Sequence, residues 1–317
     1  MGCTLEGVVG FTSRERRAIR RCRGWLGFGP AAVIGLAVAV PSARGVVEPA
    51  GADDGDYRAL GNQYAGRTVF VLVENQSMVP LGVGSGVLID PWDVLTAAHV
   101  LTTFSSGSGI KATIGTGTNV VSDTGTTTSV SSSVIDPLYD GSDPDSPDLA
   151  ILHLSQPIGD AFLSIAPPVA GEVLTGSGYG YRALSDGTVN PLDGYIRGWN
   201  APVGLDMPAL DGPNFYFQTN FQADQAAVPL VGNAFFGDSG GPWFDAAGSV
   251  VGLTIDGPDT AAPEMTTRVL NVSQPDNLEW ILANIGGPGD APEPASLWIL
   301  AAPWLSILLR RRRTGQS

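Results

Sequence analysis

Gly237-Asp238-Ser239-Gly240-Gly241-Pro242 decides how this chain of 317 residues is read. A serine hydroxyl is a poor nucleophile at its free pKa and needs a base beside it. It also needs N–H donors aimed at the oxygen that becomes negative during acyl transfer. Glycines flanking the serine permit a tight turn whose successive N–H groups point into one concavity. A short glycine-rich piece would read as a solvent-facing turn. All six residues in this order favour a nucleophile.

Outward from that run, a base and an orienting carboxylate are needed, and the chain has two histidines. His99 follows Val94-Leu95-Thr96-Ala97-Ala98, an apolar strand that runs into small residues. His153 lies in Asp148-Leu149-Ala150-Ile151-Leu152-His153-Leu154, where alternation puts it on the polar face of a strand. A strand histidine in that setting reads as structural. Asp148 opens the same strand, and a carboxylate there can accept Nδ1–H of His99 and hold the useful tautomer. Asp140, Asp143 and Asp145 are rival carboxylates in the preceding loop, but only Asp148 runs directly into the apolar strand. Their spacing matches no EF-hand, so a solvated acidic loop is expected there instead of a Ca²⁺ site.

Thr96-Ala97-Ala98-His99, Asp148-Leu149-Ala150-Ile151-Leu152 and Gly237–Pro242 together resemble the three motifs of trypsin-like (chymotrypsin-fold) serine peptidases. The order His, Asp, Ser is that family's order, unlike that of subtilisins or α/β-hydrolases. The separations of 49 and 91 residues suit it. The resemblance spans roughly residues 65–285. It implies an all-β fold of two antiparallel six-stranded β-barrels with a C-terminal α-helix. It also implies peptide-bond hydrolysis through an acyl-enzyme, with no metal and no cofactor. Ser239 would attack, His99 would shuttle the proton, and Asp148 would orient His99; the N–H groups of Gly237 and Ser239 would form the oxyanion hole. The residue six before the nucleophile, Asn233, would lie at the base of the primary specificity pocket, with Ile255, Asp256 and Gly257 along its wall. With no acid at 233, a neutral or apolar preference is expected over a basic one; Asp256 either attracts a basic group or faces solvent.

The chain departs from the family in two ways. Its only cysteines, Cys3 and Cys22, fall in a segment expected to be removed, leaving no disulfide and no cysteine for a zinc site. Some 220 residues can bury enough surface without such staples. The start used by the family in zymogen activation is also missing. Residues 66–73 read Gly-Arg-Thr-Val-Phe-Val-Leu-Val, so a cut after Arg67 would free Thr68.

Short β-rich runs between Gly, Pro and Asp punctuation agree with barrels: 68–73, 86–89, 93–96, 112–115, 148–154, 172–179, 215–219, 242–244 and 249–255. Residues 115–133, rich in Thr, Ser and Gly, read as a flexible loop or low-complexity strands. Leu278, Ile281, Leu282 and Ile285 fall at i, i+3, i+4 and i+7, which predicts an amphipathic helix over 277–285 stopped by Gly286-Gly287.

Both ends read as addresses. Arg14, Arg16, Arg17, Arg20, Arg21 and Arg23 precede an apolar run from Trp25 to Val40, and Ala43-Arg44-Gly45 offers a cleavage site. Residues 1–45 are therefore expected to be a signal peptide, 46–64 an N-terminal linker or pro-segment, and 65–285 the protease domain. Residues 286–294 form a linker. The last segment, 295–317, carries apolar Ala295–Leu309 and then Arg310–Arg313, after Pro292-Glu293-Pro294. That arrangement resembles the PEP-CTERM sorting signal of Gram-negative bacteria, which a membrane exosortase recognises; an ordinary tail anchor is the alternative. Either reading places the protein outside the cytoplasm, in the periplasm, on the cell surface or beyond. Membrane contact would come only through the terminal segment.

The chain has 17 basic and 31 acidic residues. Residues 1–45 hold 7 arginines and 2 glutamates, and 295–317 hold 4 arginines; residues 46–294 keep 6 and 29, a net of −23. Such a surface repels nucleic acid and anionic membranes. The expected partners are a polypeptide substrate, signal peptidase and an exosortase-type enzyme. An esterase with the same three residues, or a binding protein that has kept the fold without activity, are the competing functions.

Overall fold

A computed structural model describes residues 46–103, 111–159, 164–204, 215–257 and 260–286. In chain order the elements are β1 (Val47–Glu48), α1 (Asp54–Asn62), β2 (Thr68–Glu74), β3 (Pro80–Leu88), β4 (Asp93–Thr96), α2 (Ala98–Thr102), β5 (Lys111–Gly115), β6 (Thr127–Ile135) and β7 (Ala150–Leu154). The second half adds β8 (Val173–Gly178), β9 (Ala183–Leu184), β10 (Arg197–Pro202), β11 (Tyr216–Gln222), β12 (Pro242–Phe244), β13 (Val250–Asp256), β14 (Glu264–Asn271) and α3 (Pro275–Asn284).

Alternation in β2 shows how the first half closes. Val69, Val71 and Val73 point into one core with Leu88, Val94, Ile114 and Leu152. Phe70, on the opposite face, packs edge-on against Tyr179 of the second half. Strands β2-β3-β4-β7-β6-β5 pair antiparallel around a closed barrel.

The second half is a six-stranded antiparallel sheet in the order β10-β8-β12-β13-β14-β11. Its interior holds Trp199 edge-to-face on Trp243, with Leu174, Phe217, Val251 and Val269 around them. The all-β, six-plus-six architecture is as the sequence implied, with one difference: this second sheet is a half-barrel. Its outer strands β10 and β11 come together just beyond the end of β10, where Val203 bridges Thr219 in the middle of β11 and Gly204 N donates to Gln218 O at 2.8 Å.

A third core joins the halves. Val87, Leu95 and Ile151 of the barrel pack with Phe244, Leu253 and Leu270 of the sheet and Ile281 of α3. Pro275 at the first turn of α3 and the Gln274 side chain, which accepts from Asp276 N and Asn277 N, start that helix two residues earlier than its apolar period predicts.

Residues 46–64, read from sequence as a linker or pro-segment, belong to the fold. Val46, Val47 and Tyr57 are buried in the second half, and β1 pairs parallel with β9. The backbone of Gly61 on α1 lies so close to Arg197 that no Cβ would fit there. Arg197, fully buried on β10, bonds Asp54 of α1 at 2.6 and 3.1 Å and Asp193 at 3.0 and 2.6 Å. The Arg67–Thr68 bond is equally built in: Thr68 is buried and its N–H donates to Tyr64 O at 2.9 Å, while Arg67 Nη2 donates to Gly248 O at 2.7 Å. A cut after Arg67 would therefore sever folded structure.

Candidate active site

β4 ends at Thr96 and the chain turns at Ala97 into α2, which sets His99 at the barrel rim beside the N-terminal approach to β7. There Asp148 holds it twice: Oδ1 accepts from His99 N at 2.8 Å, and Oδ2 lies 2.6 Å from Nδ1. Asp148 is itself placed by Tyr216 of β11, whose hydroxyl accepts from Asp148 N at 3.1 Å and donates to Ser146 O. Of the rival carboxylates, Asp145 pairs with Arg268 at 2.6 Å, and Asp140 accepts from Ser142 within its own turn. Neither binds His99.

Ser239 lies in the loop before β12, half-buried. His99, Asp148, Ser239 and Gly237 line one cleft of about 440 Å³, together with Ile255, Asp256 and Gly257. Gly237 has φ +90°, and a Cβ there would sit 2.9 Å from Gly180 Cα, so the turn requires glycine. The N–H groups of Gly237 and Ser239 have no acceptor among the described residues and stay available as donors.

The nucleophile loop is pinned by a residue that sequence reasoning passed over. Ser85 of β3 donates its N–H to Ser239 O at 2.8 Å and its hydroxyl to Gly237 O at 3.0 Å. The same hydroxyl accepts from Tyr179 N at 3.0 Å, and Ser85 O accepts from Thr96 Oγ1 at 2.7 Å. The small-residue run Gly82–Gly86 around it was the available signal. Tyr216 carried no signal at all, because its role depends on a contact 68 residues away in sequence.

Asp238 is buried. Its oxygens accept from Gly180 N at 2.9 Å and Phe235 N at 3.1 Å. Burial pushes its pKa up to about 7, against the pull of those two donors and of Arg197.

Two expectations need correction. Asn233 does not reach the cleft: it is fully buried, its Oδ1 accepting from Thr267 Oγ1 at 2.7 Å and its Nδ2 donating to Ala234 O at 3.2 Å. Side-chain amides bury only when bonded, and here the partners lie within the sheet. His153 is structural, as read, but its face of β7 is not a polar one. It shares that face with Ile151 of the core between the halves and is buried, with Nδ1 2.6 Å from Asp93 Oδ1, and Asp93 Oδ2 accepts from Gly286 N at 2.8 Å. Through Asp93 it fastens β7 and β4 to the chain just past α3.

Comparison with known proteins now places the chain. A family model described as Trypsin matches residues 69–281, and the chain belongs to that family. Among solved structures it is similar to the inactivated protease paralogue S-I1 of the scabies mite, at 22% identity, covering 73% of this chain and 97% of that one, with a TM-score of 0.49. No curated protein matches. Among the described residues no helix is long and apolar enough to cross a membrane; residues 1–45 and 295–317, read from sequence as a signal peptide and a sorting segment, lie outside them.

Proposed function

We propose that the chain is an exported serine endopeptidase that cuts polypeptides through an acyl-enzyme. The observation that carries this reading is the double grip of Asp148 on His99 in a cleft that Ser239 shares. Ser239 Oγ attacks the scissile carbonyl while His99 takes its proton. Asp148, bonded to Nδ1–H, keeps Nε2 free to do so and stabilises the imidazolium that forms. The N–H groups of Gly237 and Ser239 stabilise the oxyanion. His99 then returns the proton to the leaving amine, and water hydrolyses the ester by the same steps. Export by signal peptidase and retention through an exosortase-type enzyme belong to the same reading, and rest on residues 1–45 and 286–317 of the sequence.

The test is intact mass after the full-length chain meets a fluorophosphonate, with Ser239→Ala as control. The Oγ–P bond forms as fluoride leaves with the serine proton. One adduct on wild type and none on Ser239→Ala is expected. No adduct on folded wild type would leave the non-catalytic reading, and turnover of esters without peptides the esterase.

A further inference from the structure

Two stretches wall the cleft beside Ser239: Phe235, Phe236, Gly237 and Ser239 on one side, and the end of β13 with Gly257 on the other. They are stitched just after Ser239, Gly240 N donating to Thr254 O at 2.7 Å and Thr254 N to Gly241 O at 2.8 Å. Further along they close together. A Cβ on Gly257 would stand 2.7 Å from Ala234 O and 3.7 Å from Phe235 Cα, so the two backbones are nearly in contact.

Below that closure the structure is sealed. Thr267 Oγ1 accepts from Ala234 N at 3.1 Å and donates to Asn233 Oδ1 at 2.7 Å. Asn233 is bonded on its other side to Val47, N–H to O in both directions, at 2.8 and 3.0 Å. Its polar atoms are satisfied by the protein. The cleft is lined by Phe235, Thr254 and Gly257, and not by Asn233, Ala234 or Thr267. Among the described residues, then, Asn233 is closed off as a polar base for a substrate side chain, and the carboxylate of Asp256 belongs to the cleft wall.

We propose that the cleft accepts only a small side chain (glycine, alanine or serine) on the acyl side of the bond that is cut, which rests on the reading of Ser239 as nucleophile. A methyl or hydroxymethyl group lies on the floor made by Phe235 and Thr254. A phenyl or guanidinium group has room only if Gly257 and Ala234 part, and Ala234 is held on its side by the bond to Thr267.

The experiment uses the full-length chain and three peptidyl diphenyl phosphonates that differ only in the side chain beside phosphorus: alanine, phenylalanine or arginine. Each forms an Oγ–P bond on Ser239 and releases phenol, read as adduct mass against time. The alanine probe is expected to react about a hundredfold faster than the other two. A phenylalanine or arginine probe that matches it overturns the proposal, as does a chain labelled by the plain fluorophosphonate but by none of the three. Failure of the plain fluorophosphonate as well would instead remove the nucleophile on which the proposal stands. Asn233→Asp gives a second reading: under a closed floor the new carboxylate brings the arginine probe no gain, and a gain would show the floor to be open.

Discussion

Asp148 uses its two oxygens on one residue, and this makes its substitution informative. Both groups it faces, His99 N and Nδ1, are donors in the working state. An asparagine must turn its NH₂ toward one of them, losing either the backbone bond that seats α2 or the tautomer that leaves Nε2 free. Asp148→Asn should therefore lower kcat by about four orders of magnitude while the thermal midpoint barely moves; peptide turnover and a melting curve on the same sample check both halves. Equal losses in activity and stability would make Asp148 a structural residue. The sequence already carried this pair, because His99 and Asp148 each sit in a recognisable local pattern. Ser85 and Asn233 were not legible in the same way. What they do depends on which strand they face across the molecule; the small-residue run around Ser85 signals close packing there but does not name its partner.

At the scale of elements, β1 and α1 are held by the sheet they cover. Val47 is bonded to Asn233, and Glu48 to Arg182 at 2.9 Å. Asp54 neutralises buried Arg197. A chain starting at Thr68 would leave Arg197 with one carboxylate partner and expose the faces that Val47 and Tyr57 cover. Losing a partner of a buried ion pair costs about 3–5 kcal/mol, a large share of a domain's margin. Such a chain should fail to refold, seen as the absence of a cooperative melt by circular dichroism. A normal melt would return residues 46–64 to the status of a linker. The strands legible in the sequence were those with dense apolar runs, such as β2, β4 and β13. β6, written Thr-Thr-Ser-Val-Ser-Ser-Ser-Val-Ile, was legible only as one of two alternatives, loop or strand, and β10 and β14, which carry Arg, Gly and Pro or paired threonines, escaped along with the two-residue β1 and β9. β6 is largely exposed, and its strand form comes from backbone bonds to β5 and β7 on either side. Side-chain pattern has little to say about such a strand. The open edge of the second sheet escaped for a related reason, since closure depends on how strand ends meet.

Across the whole molecule, two buried acids, Asp238 and Glu48, and the half-buried Asp90 bias stability toward lower pH. Burial pushes Asp238 up to about 7 and Glu48 and Asp90 up to about 6, while the Arg197 and Arg58 guanidiniums hold Asp54 below the usual carboxylate range. For the raised groups the folded chain keeps a proton that the unfolded chain has already lost. Their contribution is therefore complete below about pH 4 and is lost as pH climbs through 6 and 7. Asp54 acts the other way, but only as pH falls below the ordinary carboxylate range. The melting temperature should thus decline between pH 5 and pH 8, helped by the excess of acidic residues. A midpoint that rises steadily to pH 8 would contradict this. One further consequence lies at the exit of α3. Ile281 is seated in the core shared by both halves, and Gly286 is fastened to Asp93 of the barrel. Tension on the chain beyond Gly286, as on a tether, would load that seat and the β4–β7 pair behind it. The loop that carries Ser239 would be spared until the anchor point gave way.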